Sequence, residues 1–257
     1  MKVQTKIFGV LFFFLLVLGT FYLLMISKEV VKENKIKVIQ IIGCDLLSKE
    51  SYLKFAKISN EEELGKINSI IVKDRLIKHP YIKSVEVTFV DKNILNVKIK
   101  EKNIKFLLSG DTLLKAITDN FEIIPFLKET KNNNWIVVNN LQEANTKPFN
   151  TNKSERIVNI FKMIDIMKNI EPEAVTQIKN INFYDKNIVD VQIRNNDLVF
   201  YEQDILKVSY LISKIYSSKI KAKSNSLFDF KFNGNIYVKT NTDTVKYTKG
   251  IKIWKEK

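Results

Sequence analysis

Cysteine and histidine are almost missing from this chain: Cys44 and His79 each stand alone among 257 residues. A lone cysteine excludes an intramolecular disulfide framework and a thiolate zinc site. A lone histidine leaves no cluster for a metal and no spare imidazole for a Ser–His arrangement. His79 sits directly before Pro80 at a predicted helix end, where it reads as a satisfied capping side chain. Long apolar runs are equally scarce, since nothing after residue 26 approaches the length needed to cross a bilayer. Paired carboxylates are thin as well. Glu61-Glu62-Glu63 and Glu171 with Glu173 fall in a polar loop and at a helix start, where solvation accounts for them. Glycosidase chemistry needs two carboxylates converging in a cleft, and nothing here supports one. No catalytic residue, cofactor site or metal site is assigned, and no cofactor is expected.

Positive charge is present in excess, with 42 Lys and Arg against 28 Asp and Glu for a net +14. The lysines are scattered among asparagines, a usage that an AT-rich genome produces as readily as a polyanion-binding surface. A nucleic-acid reader would gather its cations in a stripe with aromatics or a known module; no such cluster exists, so nucleic acid is not an expected partner. Attraction to anionic headgroups or an anionic wall polymer is the more plausible consequence, beside that of an ordinary solvated surface.

Residues 7–26, IFGVLFFFLLVLGTFYLLMI, carry no charge. An α-helix rises about 1.5 Å per residue, so roughly 20 apolar residues cross a hydrocarbon core of about 30 Å. The run is longer than the apolar part of a secretory signal, it lacks a small-residue cleavage pattern, and no cysteine follows for lipid attachment. An uncleaved signal anchor is the favoured reading, with the plasma membrane as a partner. Lys2 and Lys6 on one side and Lys28, Lys32 and Lys35 on the other leave orientation undecided by charge. The short leader, 1–6, favours a cytoplasmic N-terminus and an extracytoplasmic C-terminal part.

After a charged juxtamembrane stalk, 27–35, the pattern predicts a β-α-α-β-β module over 36–102. IKVIQIIG reads as a strand ended by Gly43, a residue that tolerates positive φ; apolar residues at both parities leave its inward face open. Ser48 is a candidate N-cap. A second helix fits Ile67, Ile70, Ile71 and Ile77 on one face, and Pro80 stops it. Val85, Val87 and Phe89, then Leu95, Val97 and Ile99, alternate with polar residues around Asp91-Lys92-Asn93, the signature of a hairpin with one buried face.

From 103 to 240 the chain is strand-rich, with short strands expected at 104–108, 113–117, 122–124 and 135–138 and polar loops over 128–134 and 141–152. The spacing of Ile157, Ile160, Phe161, Ile164 and Met167 predicts a helix over 154–170. A hairpin over 178–193 and a strand at 198–201 follow, then a helix over 203–217. Strands at 227–232 and 236–239 face each other across Asn233-Gly234-Asn235, a strong hairpin signal. The segment 89–99, FVDKNILNVKI, nearly repeats as FYDKNIVDVQI at 183–193. The flanking elements do not repeat, so two hairpins share one turn solution. The last residues, 241–257, alternate Val245, Tyr247, Ile251, Ile253 and Trp254 with lysines, and read either as another strand or as a tail that orders on a partner. The fold class expected is α+β: one transmembrane helix, the βααββ module, and a mixed, mainly antiparallel β domain with two helices.

Strand-Gly43, Leu47-Ser48, Ile77-x-x-Pro80-Tyr81-Ile82, Val85-x-Val87 and Leu95-x-Val97-x-Ile99-x-Glu101 resemble the POTRA module of the bacterial division proteins FtsQ and DivIB. Ile117-Thr118-Asp119 with Ile124-Pro125 resembles the opening of that family's β domain, and the element order from Ser154 to Lys239 matches it, with Phe228-Asp229-Phe230-Lys231-Phe232 in place of the usual strand. The chain departs from the family at two expected glycines, one soon after Asp119, where Phe121 and Glu122 stand, and one at Phe200-Tyr201-Glu202. The resemblance implies a bitopic, non-enzymatic divisome scaffold at the septum, its bulk outside the cytoplasm. Such a scaffold binds the FtsB/FtsL pair, contacts septal wall synthase components and helps regulate septal peptidoglycan synthesis. It implies a partner surface on the terminal strands and the helix before them, here Lys231, Phe232, Ile236, Tyr237, Val238 and Trp254. A cation for a partner's carboxylate, an aromatic anchor and an unpaired strand edge suit that role; Phe232 reads equally as buried core. Two other classes stay open, a POTRA-bearing envelope assembly or transport factor, which expects a membrane β-barrel to follow, and a membrane-anchored envelope enzyme.

Overall fold

A computed structural model of the chain describes residues 2–27, 36–58, 64–110, 113–131, 134–184, 187–217, 225–231, 235–239, 244–248 and 252–254, with backbone alone at 2–7, 10, 24, 26–27, 217, 244–248 and 252–254. The first element is helix α1, Lys2–Ser27. Its described side chains, Phe8, Phe12, Phe14 and Phe21 among them, are exposed. Among the described residues no helix is long and apolar enough to cross a membrane.

A three-stranded sheet follows. Strands β1 (Val38–Ile42), β2 (Ile82–Asp91) and β3 (Ile94–Glu101) lie in the order β1-β3-β2, with β1 parallel and β2 antiparallel to β3. Helices α2 (Lys49–Phe55) and α3 (Ser69–Ile77) come between β1 and β2, so the expected β-α-α-β-β order is present. On β1 the inward residue is Ile41, while Val38 and Ile42 are each 47% exposed, which resolves the face that sequence left open. Ser48 caps α2 by accepting from Ser51 N at 3.1 Å, and Asn68 caps α3 by accepting from Ile71 N at 2.9 Å. The apolar stripe expected of α3 is corrected. The helix starts at Ser69, Ile67 precedes it, Ile70 is 74% exposed, and the residues turned inward are Val72 and Leu76 at i, i+4. Gly43 has φ +86°, and a Cβ there would stand 2.1 Å from the Ile99 carbonyl oxygen. Only glycine fits that close approach.

The second sheet has eleven described strands in the order β14-β13-β12-β11-β10-β9-β8-β7-β4-β5-β6. They are β4 (Ile104–Ser109), β5 (Leu114–Thr118), β6 (Ile123–Pro125), β7 (Val137–Asn139), β8 (Ile178–Tyr184), β9 (Ile188–Ile193), β10 (Asn196–Tyr201), β11 (Leu227–Asp229), β12 (Asn235–Lys239), β13 (Thr244–Thr248) and β14 (Lys252–Trp254). Pairing is parallel at β4–β7, β7–β8 and β10–β11 and antiparallel elsewhere. Helices α4 (Glu155–Ile170) and α6 (Ile205–Ser217) share one hydrophobic core with this sheet, and a short α5 (Pro172–Thr176) joins them as a third helix. Ser154 caps α4, whose predicted stripe Ile157, Ile160, Phe161, Ile164 and Met167 is buried throughout. Ser209 and Ser213, both fully buried on α6, satisfy their hydroxyls by donating to the carbonyls of Ile205 and Ser209.

Strands β4 to β7 are buried on both faces. Phe106, Leu108, Ile117, Ile123 and Val138 belong to the core shared with the helices. Leu107, Ala116 and Ile124, the alternate residues, join the core of the βααββ module. The far edge of the sheet is sealed. Phe149 N donates to Ile123 O at 2.6 Å, Ile123 N donates to Asn150 O at 2.9 Å, and Glu122 bridges to Thr151.

Candidate functional site

The surface singled out from sequence lies at the other end of the large sheet. Strand β11 runs parallel to β10 and antiparallel to β12, with Phe228 opposite Val238 and Asp229 opposite Tyr237. Strand β12 is an inner strand. Beyond it β13 and β14 continue the antiparallel ladder, β13 with the alternation of apolar and Lys/Thr residues, and β14 ends the order of the described strands. The unpaired row of backbone groups that a partner strand would use thus belongs to β14 among the described strands.

Lys231 is half-buried. Its ammonium stands 3.4 Å from the Asp229 carboxylate, and its backbone N–H donates to the same carboxylate at 3.0 Å, so this cation already has an anion of its own chain. Ile236 is packed against the main core, and Val238 is 3% exposed and turned into it. Tyr237 is on the opposite face, half-exposed. Phe232 lies outside the described residues. Trp254 belongs to β14, opposite Lys246, which is in turn opposite Tyr237. Register thus gathers Tyr237 and Trp254 into one row with Asp229, separates Ile236 and Val238 from them, and leaves Lys231 beside the row through Asp229.

That row runs across the sheet. In strand order it reads Asn139, Asn182, Asp190, Val199, Asp229, Tyr237, Lys246 and Trp254. Asn139 Nδ2 donates to Asn182 Oδ1 at 2.7 Å, and Asn182 Nδ2 donates to Asp190 Oδ2 at 3.1 Å. In the neighbouring row Asn180 Nδ2 donates to Gln192 Oε1 at 2.8 Å. Burial pushes the Asp190 carboxyl above its ordinary range, with the Asp197 charge acting in the same direction and the Asn182 hydrogen bond against it. Sequence reasoning missed this amide ladder. Its only local signal is the polar half of the alternation in β8 and β9; which residues meet depends on strand order.

Near the start of α4, Arg156 holds Glu202 in a bidentate ion pair, Nε to Oε1 at 2.7 Å and an Nη to Oε2 at 3.0 Å, beside a polar cleft of about 380 Å³ that Tyr201 and Asn159 also line. The Glu202 side chain raises the Arg156 pKa through this bond. Tyr201, where a family glycine was expected, has an ordinary φ of −80°. The other substituted position differs: Phe121 takes φ +63°, so the left-handed turn persists without its glycine, and the ring lies 4.4 Å from that of Phe161.

His79 is 4% exposed and edge-on to Tyr52, Phe55 and Tyr81, with Nδ1 accepting from Tyr81 N at 3.1 Å. Burial lowers its pKa to about 4, with the Lys102 charge assisting. An imidazole held neutral, its Nδ1 spent on the chain's own backbone, is a structural side chain. Glu101 Oε2 accepts from the backbone N–H groups of Asp45 at 2.9 Å and Leu46 at 2.8 Å, while the Tyr52 hydroxyl donates to Oε1. Burial first, and the bond to Glu101 second, raise the Tyr52 pKa. Among the described residues no three His, Cys, Asp or Glu side chains are grouped to hold a metal ion.

These features define an α+β protein with a three-stranded and a long sheet, the latter ending, among the described strands, in the open β14. Over 162 residues the chain is 25% identical to the cell division protein DivIB of Clostridium tetani (strain Massachusetts / E88), a stretch that covers 63% of this chain and 58% of that protein. The chain thus spans less of that relative than two thirds of its length. The similarity agrees with the resemblance to the FtsQ/DivIB family carried by the motifs of the βααββ module and the β domain. No family model matches the chain.

Proposed function

We propose that this protein is a non-enzymatic scaffold of the cell-division machinery. Helix α1 anchors it in the plasma membrane with the N-terminus in the cytoplasm, and the βααββ module, a POTRA domain, stands outside with the β domain beyond it. At the septum it binds the FtsB/FtsL pair through the C-terminal strands, meets components of the wall synthase, and helps regulate septal peptidoglycan synthesis. The similarity to a cell division protein across 162 residues is the observation that carries the reading. The uncharged run 7–26 supports the anchor, and the open β14 strand supports partner capture by strand addition.

Depletion should give filamentous cells, and a fluorescent fusion should collect at midcell; uniform envelope fluorescence with normal division would sink the proposal. Lys231→Glu with Phe232→Ala should abolish capture of the FtsB/FtsL pair while the fold survives. Persistent capture would move the interface away from these two residues, and Trp254→Ala then tests the β14 edge itself.

A further inference from the structure

We propose that segment 126–131 is a mechanical coupler whose hold on the Tyr81 hydroxyl makes the βααββ module and the large sheet one cooperative unit. The segment follows β6 in the large sheet and holds that sheet through Phe126 N, which donates to Leu114 O at 3.2 Å, while from Leu127 onward it reaches into the other module. Leu127 N donates to Tyr81 Oη at 2.8 Å, and Thr130 Oγ1 donates to Leu127 O at 2.5 Å. The threonine's proton is thus committed, so the 2.8 Å contact between Tyr81 Oη and Thr130 Oγ1 is made by the phenol's proton. The result is a closed ring: amide to phenol, phenol to threonine, threonine to carbonyl. Next along the chain, Lys131 N donates to Leu46 O at 2.8 Å and its ammonium to Cys44 O at 2.7 Å. Tyr81 itself is wholly buried, between the His79 ring and this loop.

Beneath the ring the seam is apolar. Leu107, Ala116 and Ile124 of the large sheet are buried in the same cluster as Tyr52, Tyr81 and Val97 of the module. Opening it would return that surface to water and break the two bonds that cross the seam, from the Leu127 N–H to the Tyr81 hydroxyl and from that hydroxyl to Thr130, while the Thr130 bond to Leu127 O stays within the loop. The boundary between the modules, drawn from sequence at 102, therefore divides the chain but not its core. A load on one module is carried by the other.

The test uses the full chain in detergent micelles, with urea unfolding followed by hydrogen exchange at β2–β3 and β8–β9 amides. In the wild type the two regions should share one midpoint. Val97→Ala, a cavity on β3, should lower both midpoints equally. Tyr81→Phe should retain helix and sheet content, speed exchange of the Leu127 and Lys131 amides at least about tenfold, and separate the two midpoints. Thr130→Val, which breaks the ring from the other side, should do the same and replaces Tyr81→Phe if that variant does not fold. Separate wild-type midpoints, a Val97→Ala effect confined to β2–β3, or unchanged exchange at Leu127 and Lys131 would each overturn the proposal.

Discussion

Two hairpins of this chain are written almost alike, FVDKNILNVKI at 89–99 and FYDKNIVDVQI at 183–193. Their pairing agrees at the phenylalanines, where Phe89 faces Leu95 and Phe183 faces Val189, and parts beyond them, where a register shift sets Ile94 opposite Asp91 while Ile188 faces Tyr184. Their surroundings do not. The first hairpin ends a three-stranded sheet, and Phe89 is 37% exposed; the second lies in the middle of the large sheet, and Phe183 is 5% exposed. Their tips differ too, for Asn187 takes φ +57° and Asn93 is not among the described residues with positive φ. Local sequence chose the register, which the alternation and the turn determine together. Neighbouring elements decided what each side chain is worth.

The widest expected gap between the hairpins is at those phenylalanines. Phe183→Ala should cost about 3–5 kcal/mol in urea unfolding and Phe89→Ala about 1; equal losses would mean that the tip of the first hairpin is covered in solution. The next contrast is one of sign with pH. Because the folded pKa of His79 is depressed to about 4, its share of stability is complete above the ordinary 6.5 and is lost as pH falls from there toward 4. That loss should be about 2 kcal/mol after allowance for screening, and absent in His79→Phe. On the second hairpin Asp190 has a raised pKa, so acid favours the folded state as pH falls through the carboxyl's range. Asp190→Asn should therefore stabilise the protein at neutral pH by about 1 kcal/mol or less, since one carboxylate oxygen is buried without a hydrogen-bond partner; a destabilised variant would show that the charge is used. Smallest of all is Phe121→Gly, in which relief of left-handed strain and loss of the Phe161 contact should cancel to within about 1 kcal/mol in thermal unfolding.

What sequence revealed was local. Ser48 was legible as a cap, the stripe of α4 and the alternation of β2 and β3 as periodicities, the β8–β9 hairpin as a near repeat of the first, and Gly43 as a special backbone position. Helix α3 misled because four isoleucines at helical spacing looked like a buried face, whereas Ile67 precedes the helix and β-branched residues also stand exposed at its start and end. The parallel neighbours β4–β7 and β7–β8 were beyond reach, since the first pair is separated by two strands and a loop and the second by two helices. For the candidate site, Tyr237 was legible as an aromatic of a strand, and Trp254 as the end of either a strand or a tail. That Val238 turns inward, that Lys231 is held by Asp229, and that the Asn139–Asn182–Asp190 ladder shares the row of Tyr237 all depend on strand order. Tyr81 was visible only as part of a motif, because its partners at 127 and 130 come from a loop with no pattern of its own.

One edge of the large sheet is closed by the backbone of 149–151, while at the other no described strand lies beyond β14. A sheet built this way has a direction. Two copies can meet edge to edge once, through their open strands, and the product has closed ends on both sides. Among the described strands, addition to the large sheet is therefore self-limiting: pairing at β14 can join one chain or one partner to it.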